Sequence, residues 1–352
     1  MPVGTDAGPR VDEDAVEFHV TGRSLTGVAL LHELRGDRRV EFARSGDGWR
    51  LTFLRPDADR VEYLLERRFR RGRVEVGPDP SNTKRAPGPF GDKSVVEFPG
   101  YEPPRWVNDD EAAVGAVREL PLESLRLRTT LPAVLWAAAD TDPARPLPLL
   151  VVHDGPEYAA YSSVLRLFDH LVDFGEVPEF RAALLPPPLD RNETYSASAR
   201  YANAFAVELL PAIQAAAPTH KPPVLLGASL GALAAMHIHA QTPGFLGGLF
   251  LQSGSFFRRR FDEHRSRFER FARVTRFVGS IYGGRGFLPE IATTLTCGTA
   301  EDNLDNNASL VDALARRGWN PRVVWTRDAH NWISWRDALH PHLAQLLLRV
   351  WT

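Results

Sequence analysis

Residues 224–233 read Val-Leu-Leu-Gly-Ala-Ser-Leu-Gly-Ala-Leu, and the fold turns on how this stretch is read. The apolar run Val224–Leu226 stops at Gly227-Ala228-Ser229-Leu230-Gly231, and a stretch of small, helix-forming residues continues to Ala240. The spacing is G-x-S-x-G between a predicted strand and a predicted helix. A serine in so tight a strand-to-helix turn holds a strained backbone conformation. Glycines two residues before and after it remove side chains that would meet the neighbouring strand and helix. The turn places Ser229 Oγ at the carboxyl edge of a sheet and aims the N–H of Leu230 at a developing oxyanion. The plain alternative is a serine in an ordinary βα turn. The flanking glycines and the strand–helix context favour a nucleophile.

Around this stretch the chain has 352 residues, 43% hydrophobic and 24% charged, enough for one large domain or two ordinary ones with full cores. A net charge of −2 gives no footprint for nucleic acid or an anionic membrane as partner. Cys297 is the single cysteine, so no internal disulfide is possible. The amino terminus has neither a basic n-region nor an apolar h-region, and no stretch reaches the ~18 apolar residues of a spanning helix. The expected location is cytoplasmic.

Upstream, residues 1–14 are rich in Gly, Pro and Asp and are expected to be a disordered leader. Residues 15–105 carry short alternating runs, such as Trp49–Leu54 and Val61, Tyr63 and Leu65, between strong turns such as Ser45-Gly46-Asp47-Gly48. They predict a small immunoglobulin-like β-sandwich. Residues 106–119 read as a linker. From residue 120 strands alternate with helices. Leu122–Thr129 and Ala133–Ala138 are predicted strands around the Leu131-Pro132 break, and Leu147–Val152 is apolar throughout, as a doubly buried strand should be. Helical spacing marks Glu157–Phe174, Ala199–Ala216, Ala308–Arg317 and Ile333–Val350. The predicted fold class is α/β: an α/β-hydrolase with a mainly parallel sheet covered on both faces over residues 120–352.

A serine nucleophile needs a base, and the base a group that orients it. In this fold the chain order is serine, acid, histidine. His330, in Arg327-Asp328-Ala329-His330-Asn331-Trp332, stands between the last predicted strand and the last helix and is the candidate base. His340 and His342 are expected inside that helix, and His237 and His239 on the helix after the serine. The acid should follow the strand Thr294–Cys297, where Glu301, Asp302 and Asp305 are available. Glu301 comes soonest after Gly298 and is preferred. A reading with Asp302 as acid and Glu301 as a helix cap stays open, as does a dyad with no acid.

The second oxyanion donor is sought in His153-Asp154-Gly155-Pro156-Glu157-Tyr158. Pro156 has no N–H, which leaves Gly155 or Glu157, and Gly155 is preferred for its close approach. Between Arg258 and Arg285 nine arginines stand against three acidic residues. The segment reads either as a pocket wall that attracts an anionic substrate or as a solvated amphipathic helix. No metal and no organic cofactor is called for.

Taken together, His153–Tyr158, Arg191–Tyr195, Glu208–Pro211, the Ser229 turn, Gln252–Phe256 and His330–Arg336 resemble the enterochelin esterase family, in order from about residue 120 onward. The amino-terminal region resembles the immunoglobulin-like domain of such esterases, and its Pro78–Asn82 and Phe90–Val96 also resemble carbohydrate-binding modules. The resemblance implies a serine esterase that opens a cyclic catecholate siderophore and releases iron in the cytosol. Its partner would be a small anionic or iron-bound ester, with no nucleic acid and no membrane. Ser229 and His330 carry over directly. Arg191, Tyr158, Phe256 and Trp332 become candidates for substrate contact. Feruloyl and acetyl-xylan esterases share much of the pattern, and a non-catalytic ligand-binding protein is the alternative from another class.

Overall fold

Alternation of apolar and polar residues before residue 100 builds two antiparallel sheets around one core. The computed structural model describes residues 8–108 and 112–352 and divides them into two units. The first holds the described residues up to Pro103, together with Gly298–Asp302 and Trp325–Ser334. Its first sheet runs Arg10–Val11, Ala15–Thr21, Gly48–Leu54, Ala43–Ser45. The other runs Arg39–Glu41, Leu25–His32, Arg60–Phe69, Lys93–Glu97, Arg85–Ala86, and Val74–Gly77 also pairs with Arg60–Phe69. Val16, Phe18 and Val20 of one sheet meet Val28, Leu30, Tyr63 and Leu65 of the other in a shared core, the arrangement of a β-sandwich. The buried Tyr63 hydroxyl donates to Asp79 Oδ2 at 2.9 Å. Asp79 and Asn82 of the Pro78–Asn82 loop are both buried. Asp79 and Asn82 of that loop therefore bond within the sandwich.

Two boundaries differ from expectation. Of the expected leader, residues 1–7 lie outside the described residues, and Arg10–Val11 is a strand paired with Glu17 and Val16. The expected linker 106–119 is largely structured. Trp106 is buried within a 3-10 turn, Arg105–Asn108, and Ala116 already begins a strand, while residues 109–111 lie outside the described residues. A tryptophan buries too much apolar area to be left on a tether.

The second unit is built on an eight-stranded sheet. Its strands are β1 (Ala116–Ser124), β2 (Thr129–Ala137), β3 (Leu149–His153), β4 (Arg181–Leu185), β5 (Val224–Ala228), β6 (Gly248–Gln252), β7 (Ala292–Gly298) and β8 (Arg322–Thr326), in the order β1-β2-β4-β3-β5-β6-β7-β8. β1, β2 and β4 pair antiparallel, and β4-β3-β5-β6-β7 pair parallel. β3, β4, β5 and β6 are buried at every position, as strands with helices on both faces must be. The helices are α1 (Gly155–Ser162), α2 (Val164–Asp173), α3 (Arg191–Tyr195), α4 (Ala199–Ala204), α5 (Leu210–Ala216), α6 (Leu230–Gln241), α7 (Phe271–Tyr282), α8 (Leu304–Arg316), α9 (Trp332–Asp337) and α10 (His342–Trp351). Among the described residues no helix is long and apolar enough to cross a membrane.

The first two strands are displaced from the predicted Leu122–Thr129 and Ala133–Ala138. Pro121 and Pro132 face each other across the hairpin, and Pro132 lies before the part of β2, Val134–Ala137, that pairs with β4. Neither proline therefore has to supply a ladder N–H, so the sheet absorbs a residue pair that normally interrupts strands. The predicted helix Glu157–Phe174 is two helices, broken at Ser163 with φ of 51°. The predicted helix Ile333–Val350 is likewise α9 and α10, separated at Pro341, which cannot continue a helix.

Candidate active site

Ser229 follows β5 directly and precedes α6. Its φ of 55° and ψ of −120° are unfavourable for a residue with a Cβ, the strain expected of this turn. A Cβ on Gly227 would sit 2.6 Å from the Gly231 carbonyl, so the first glycine is required by the return of the chain past itself. Ser229 N–H donates to the Gln252 carbonyl at 2.9 Å, and its own carbonyl accepts from Ser255 N–H at 3.0 Å. These bonds pin the turn to the end of β6. Ser229 Oγ lies 3.1 Å from Ser255 Oγ, a neighbour that the G-x-S-x-G spacing does not announce. Its visible trace is the run Gln252-Ser253-Gly254-Ser255 after a doubly buried strand.

The entry to α1 is tied to the same turn. His153, at the end of β3, is fully buried, and its Nδ1–H donates to the Gly231 carbonyl at 3.0 Å. A carbonyl only accepts, so Nε2 carries the lone pair and receives the Tyr201 hydroxyl at 3.0 Å. Burial lowers the imidazole to about 4, which keeps it neutral in this role. Leu230 and Gly155 are the first residues of α6 and α1. N–H groups in the first turn of a helix have no intrahelical partner, and the helix dipole favours negative charge beside them. A Cβ on Gly155 would stand 2.4 Å from Leu184 Cβ, so its glycine is needed for packing on β4 as well.

In the first unit, His330 Nδ1 and Glu301 Oε2 are 2.5 Å apart. Glu301 is fully buried, and its Oε1 accepts Gly298 N–H at 2.7 Å. Asp302 pairs instead with Arg38, and Asp305 lies in the first turn of α8. Between these acids, the structure brings Glu301 to His330. The other histidines of the helix after Ser229 are core groups. His237 packs edge-on against Phe277, and burial lowers it to about 4. His239 Nε2 donates to the Pro289 carbonyl at 2.8 Å. His340 precedes α10, and His342 is its first residue.

The residues expected against substrate divide. Tyr158 and Phe256 have no exposed surface. The Tyr158 hydroxyl donates to Gln252 Oε1 at 2.7 Å, and Phe256 belongs to the apolar core of the second unit. Both are structural, which corrects the expectation of substrate contact. Arg191 is bidentate on Asp154, Nε to Oδ1 at 2.8 Å and Nη2 to Oδ2 at 2.7 Å, with its guanidinium over Tyr195. Its charge is balanced by an ion pair, yet about a third of its side chain faces solvent. Trp332 begins α9 and is half-buried.

The basic segment is more structured than its charge count suggests. α7 buries Phe271, Val274, Val278 and Ile281 along one stripe, the pattern of an amphipathic helix. Arg270 and Arg273 pair with Glu193. Arg258 lies 3.8 Å from the centre of the Tyr282 ring and donates to Ser309 Oγ. Elsewhere in the second unit, His170, Glu176 and His340 bring ligand atoms within 4.8 Å of one another, the one group among the described residues able to hold a metal ion.

A family model, Esterase, matches residues 124–346. Among solved structures, the enterobactin esterase Fes of Shigella flexneri, crystallised in the presence of enterobactin, is similar at a TM-score of 0.75 and 19% identity, over 98% of this chain and 96% of that one. The ferric enterobactin esterase of Salmonella typhimurium gives 0.77 at 19% identity, over 99% and 97%. The feruloyl esterase module of Clostridium thermocellum, complexed with sinapinate, gives 0.53 at 12% identity, over 70% and 93%. No curated protein matches the sequence.

Proposed function

The chain belongs to the esterase family, and on that premise we propose that it hydrolyses carboxylic esters with Ser229 as nucleophile, His330 as general base and Glu301 as the group that orients the base. The observation that carries the reading is the strained serine between β5 and α6. A carboxylate accepts, so the proton of His330 lies on Nδ1 toward Glu301 and the Nε2 lone pair is left to take a proton. Ser229 Oγ adds to the ester carbonyl as its proton passes to His330 Nε2. The tetrahedral oxyanion is held by the N–H groups of Leu230 and Gly155, with Glu157 as the alternative second donor. Collapse expels the alcohol, which takes the proton from His330. Water, deprotonated by the same imidazole, then cleaves the acyl-serine. No metal or cofactor enters these steps.

For the substrate, we infer a cyclic catecholate ester of the enterochelin type, opened in the cytosol to release its iron. The support is extent: likeness to the enterobactin esterases spans nearly the whole chain, amino-terminal sandwich included, whereas the feruloyl esterase module covers 70% of it. That module favours a second reading, an acyl esterase acting on feruloylated carbohydrate. A hydrolysis screen comparing a catecholate trilactone, feruloylated sugars and p-nitrophenyl acetate, run beside Ser229→Ala, tests both. Preference for the trilactone supports the first reading and preference for the feruloyl ester the second. Turnover that survives in Ser229→Ala removes the serine mechanism.

A further inference from the structure

The two segments that carry the proposed base and its orienter, Gly298–Asp302 and Trp325–Ser334, belong to the same compact unit as the amino-terminal sandwich. Their attachment is extensive. Ala300 and Ala329 are part of the sandwich core, alongside Val16, Phe18 and Tyr63. Ile333 packs with Ala86 and Val95. Backbone bonds run from Arg35 N–H to the Ala300 carbonyl at 2.8 Å and from Asp59 N–H to the Arg327 carbonyl at 2.7 Å. Thr299 Oγ1 donates to the Asp57 carbonyl at 2.9 Å, and Arg327 pairs with Asp57 and Asp59.

Asp328 is the centre of this attachment. Its carbonyl accepts Ala300 N–H at 3.1 Å, which joins the segment of Glu301 to the segment of His330. A Cβ on Gly298 would lie 2.3 Å from the same carbonyl oxygen, so the contact tolerates no side chain. Asp328 Oδ1 accepts the N–H of Ala329 at 2.7 Å and Nδ2 of Asn331 at 3.0 Å, the residues on either side of His330. Its other oxygen, Oδ2, lies 3.3 Å from Arg60 Nη1. Arg60 is only 3% exposed, sits under the Tyr101 ring and has Glu62 3.5 Å away.

We propose that Arg60, acting through Asp328, is a positioning residue for His330, so that the amino-terminal sandwich is part of the catalytic apparatus. The inference rests on the reading of His330 as base. A base must be held to a fraction of an ångström and 10–20° or so to serve its reaction, and misplacing a catalytic group by about 1 Å costs on the order of 100-fold. Asp328 brackets the histidine from both sides, and Arg60 fixes Asp328 from a rigid strand.

The test uses the full chain and four proteins: wild type, Arg60→Met, the double variant Arg60→Met/Asp328→Asn, and His330→Ala. Removing Arg60 alone leaves a buried carboxylate uncompensated and can unfold the unit, whereas the double variant removes both charges and is the one expected to fold. Turnover of p-nitrophenyl acetate is measured with the melting temperature and with the far-downfield NMR signal of the imidazole Nδ1–H held against Glu301. A positioning role lowers kcat by about 10- to 100-fold in the folded double variant. It leaves KM within about twofold and broadens or removes the Nδ1–H signal, which a merely structural role would not move. Wild-type kcat and an unchanged signal in that variant, with His330→Ala inactive, overturn the proposal. Full activity in His330→Ala removes the base reading instead, and so separates the two failures.

Discussion

Replacing Glu301 by glutamine keeps the shape of the side chain and removes one acceptor, which makes it the sharpest test of the proposed orienter. The wild-type carboxylate, itself fully buried, accepts Gly298 N–H at Oε1 and His330 Nδ1–H at Oε2. Glutamine has a single acceptor oxygen. With that oxygen on Gly298, its NH₂ faces His330 Nδ1 and draws the imidazole into the other tautomer, with the proton on the nitrogen that must act as base. With the amide flipped, the NH₂ meets Gly298 N–H, and two buried donors face each other at a cost of about 1–3 kcal/mol. The first arrangement is therefore favoured. An imidazole held in the wrong tautomer costs about 10⁴-fold in kcat in serine proteases, or roughly 5 kcal/mol of barrier. We expect Glu301→Gln to lose about 10³- to 10⁴-fold in kcat on p-nitrophenyl acetate with KM little changed. Asp302→Asn breaks a pair with Arg38, whose side chain is 54% exposed. Exposed pairs contribute about 0–1 kcal/mol, so that variant should stay within about threefold of wild type. A larger loss in Asp302→Asn than in Glu301→Gln refutes the assignment, and a loss below tenfold in both points to a dyad or to Asp305.

Ser229→Ala should lower kcat by several orders of magnitude and leave the melting temperature near that of wild type, since it removes the proposed attacking alcohol and changes little else. Burial raises Glu62 to about 7 from an ordinary 4.5, against the pull of Arg60 and Lys93. The folded state then holds a proton that the unfolded state has lost between these values, so this contribution is present below about 4.5 and disappears as pH rises through 7. Glu62→Gln should therefore flatten the decline in stability between pH 5 and 8 in urea titrations; an unchanged slope would contradict the burial argument. Arg259→Gln/Arg260→Gln removes two exposed arginines of the basic segment. It should raise KM severalfold for an anionic aryl ester at low salt and leave p-nitrophenyl acetate unchanged, with the difference fading as salt screens charges over about 8 Å. Equal effects on both esters would assign the arginines a structural role.

The parts of the fold legible in the sequence are those in which local geometry and chemistry agree. The Ser229 turn combines spacing, glycines and flanking elements, and the structure shows the backbone strain and the close Gly227–Gly231 approach that this combination implies. For the acid, position after Gly298 gives a preference for Glu301 but leaves Asp302 and Asp305 open. Glu301 and Asp302 are adjacent, and what separates them is the direction of the chain after Gly298, which depends on contacts with residues far away in sequence. Tyr158 and Phe256 illustrate a different limit. A motif preserves which residues occur near a site but not which way they face, and an aromatic ring in such a motif is as readily core as contact.

Arg60 was illegible for a further reason, and it bears on how β-sandwiches are read. In the strand Arg60–Phe69, Val61, Tyr63 and Leu65 take the core side, so parity assigns Arg60 and Glu62 to the outer face. That assignment is correct, and the usual step from outer face to solvent is not. Arg60 is almost wholly buried, and its partner Asp328 lies 268 residues away in the chain. Alternation reports which side of a sheet a residue occupies and is silent on what covers that side. A charged residue in such a position satisfies the polar-outside pattern whether it meets water or a carboxylate. Only its energetics differ, because the buried pair is costly to break and can fix a loop, whereas a solvated charge can do neither. The functional content of the sandwich therefore lies on the face that the pattern marks as ordinary surface.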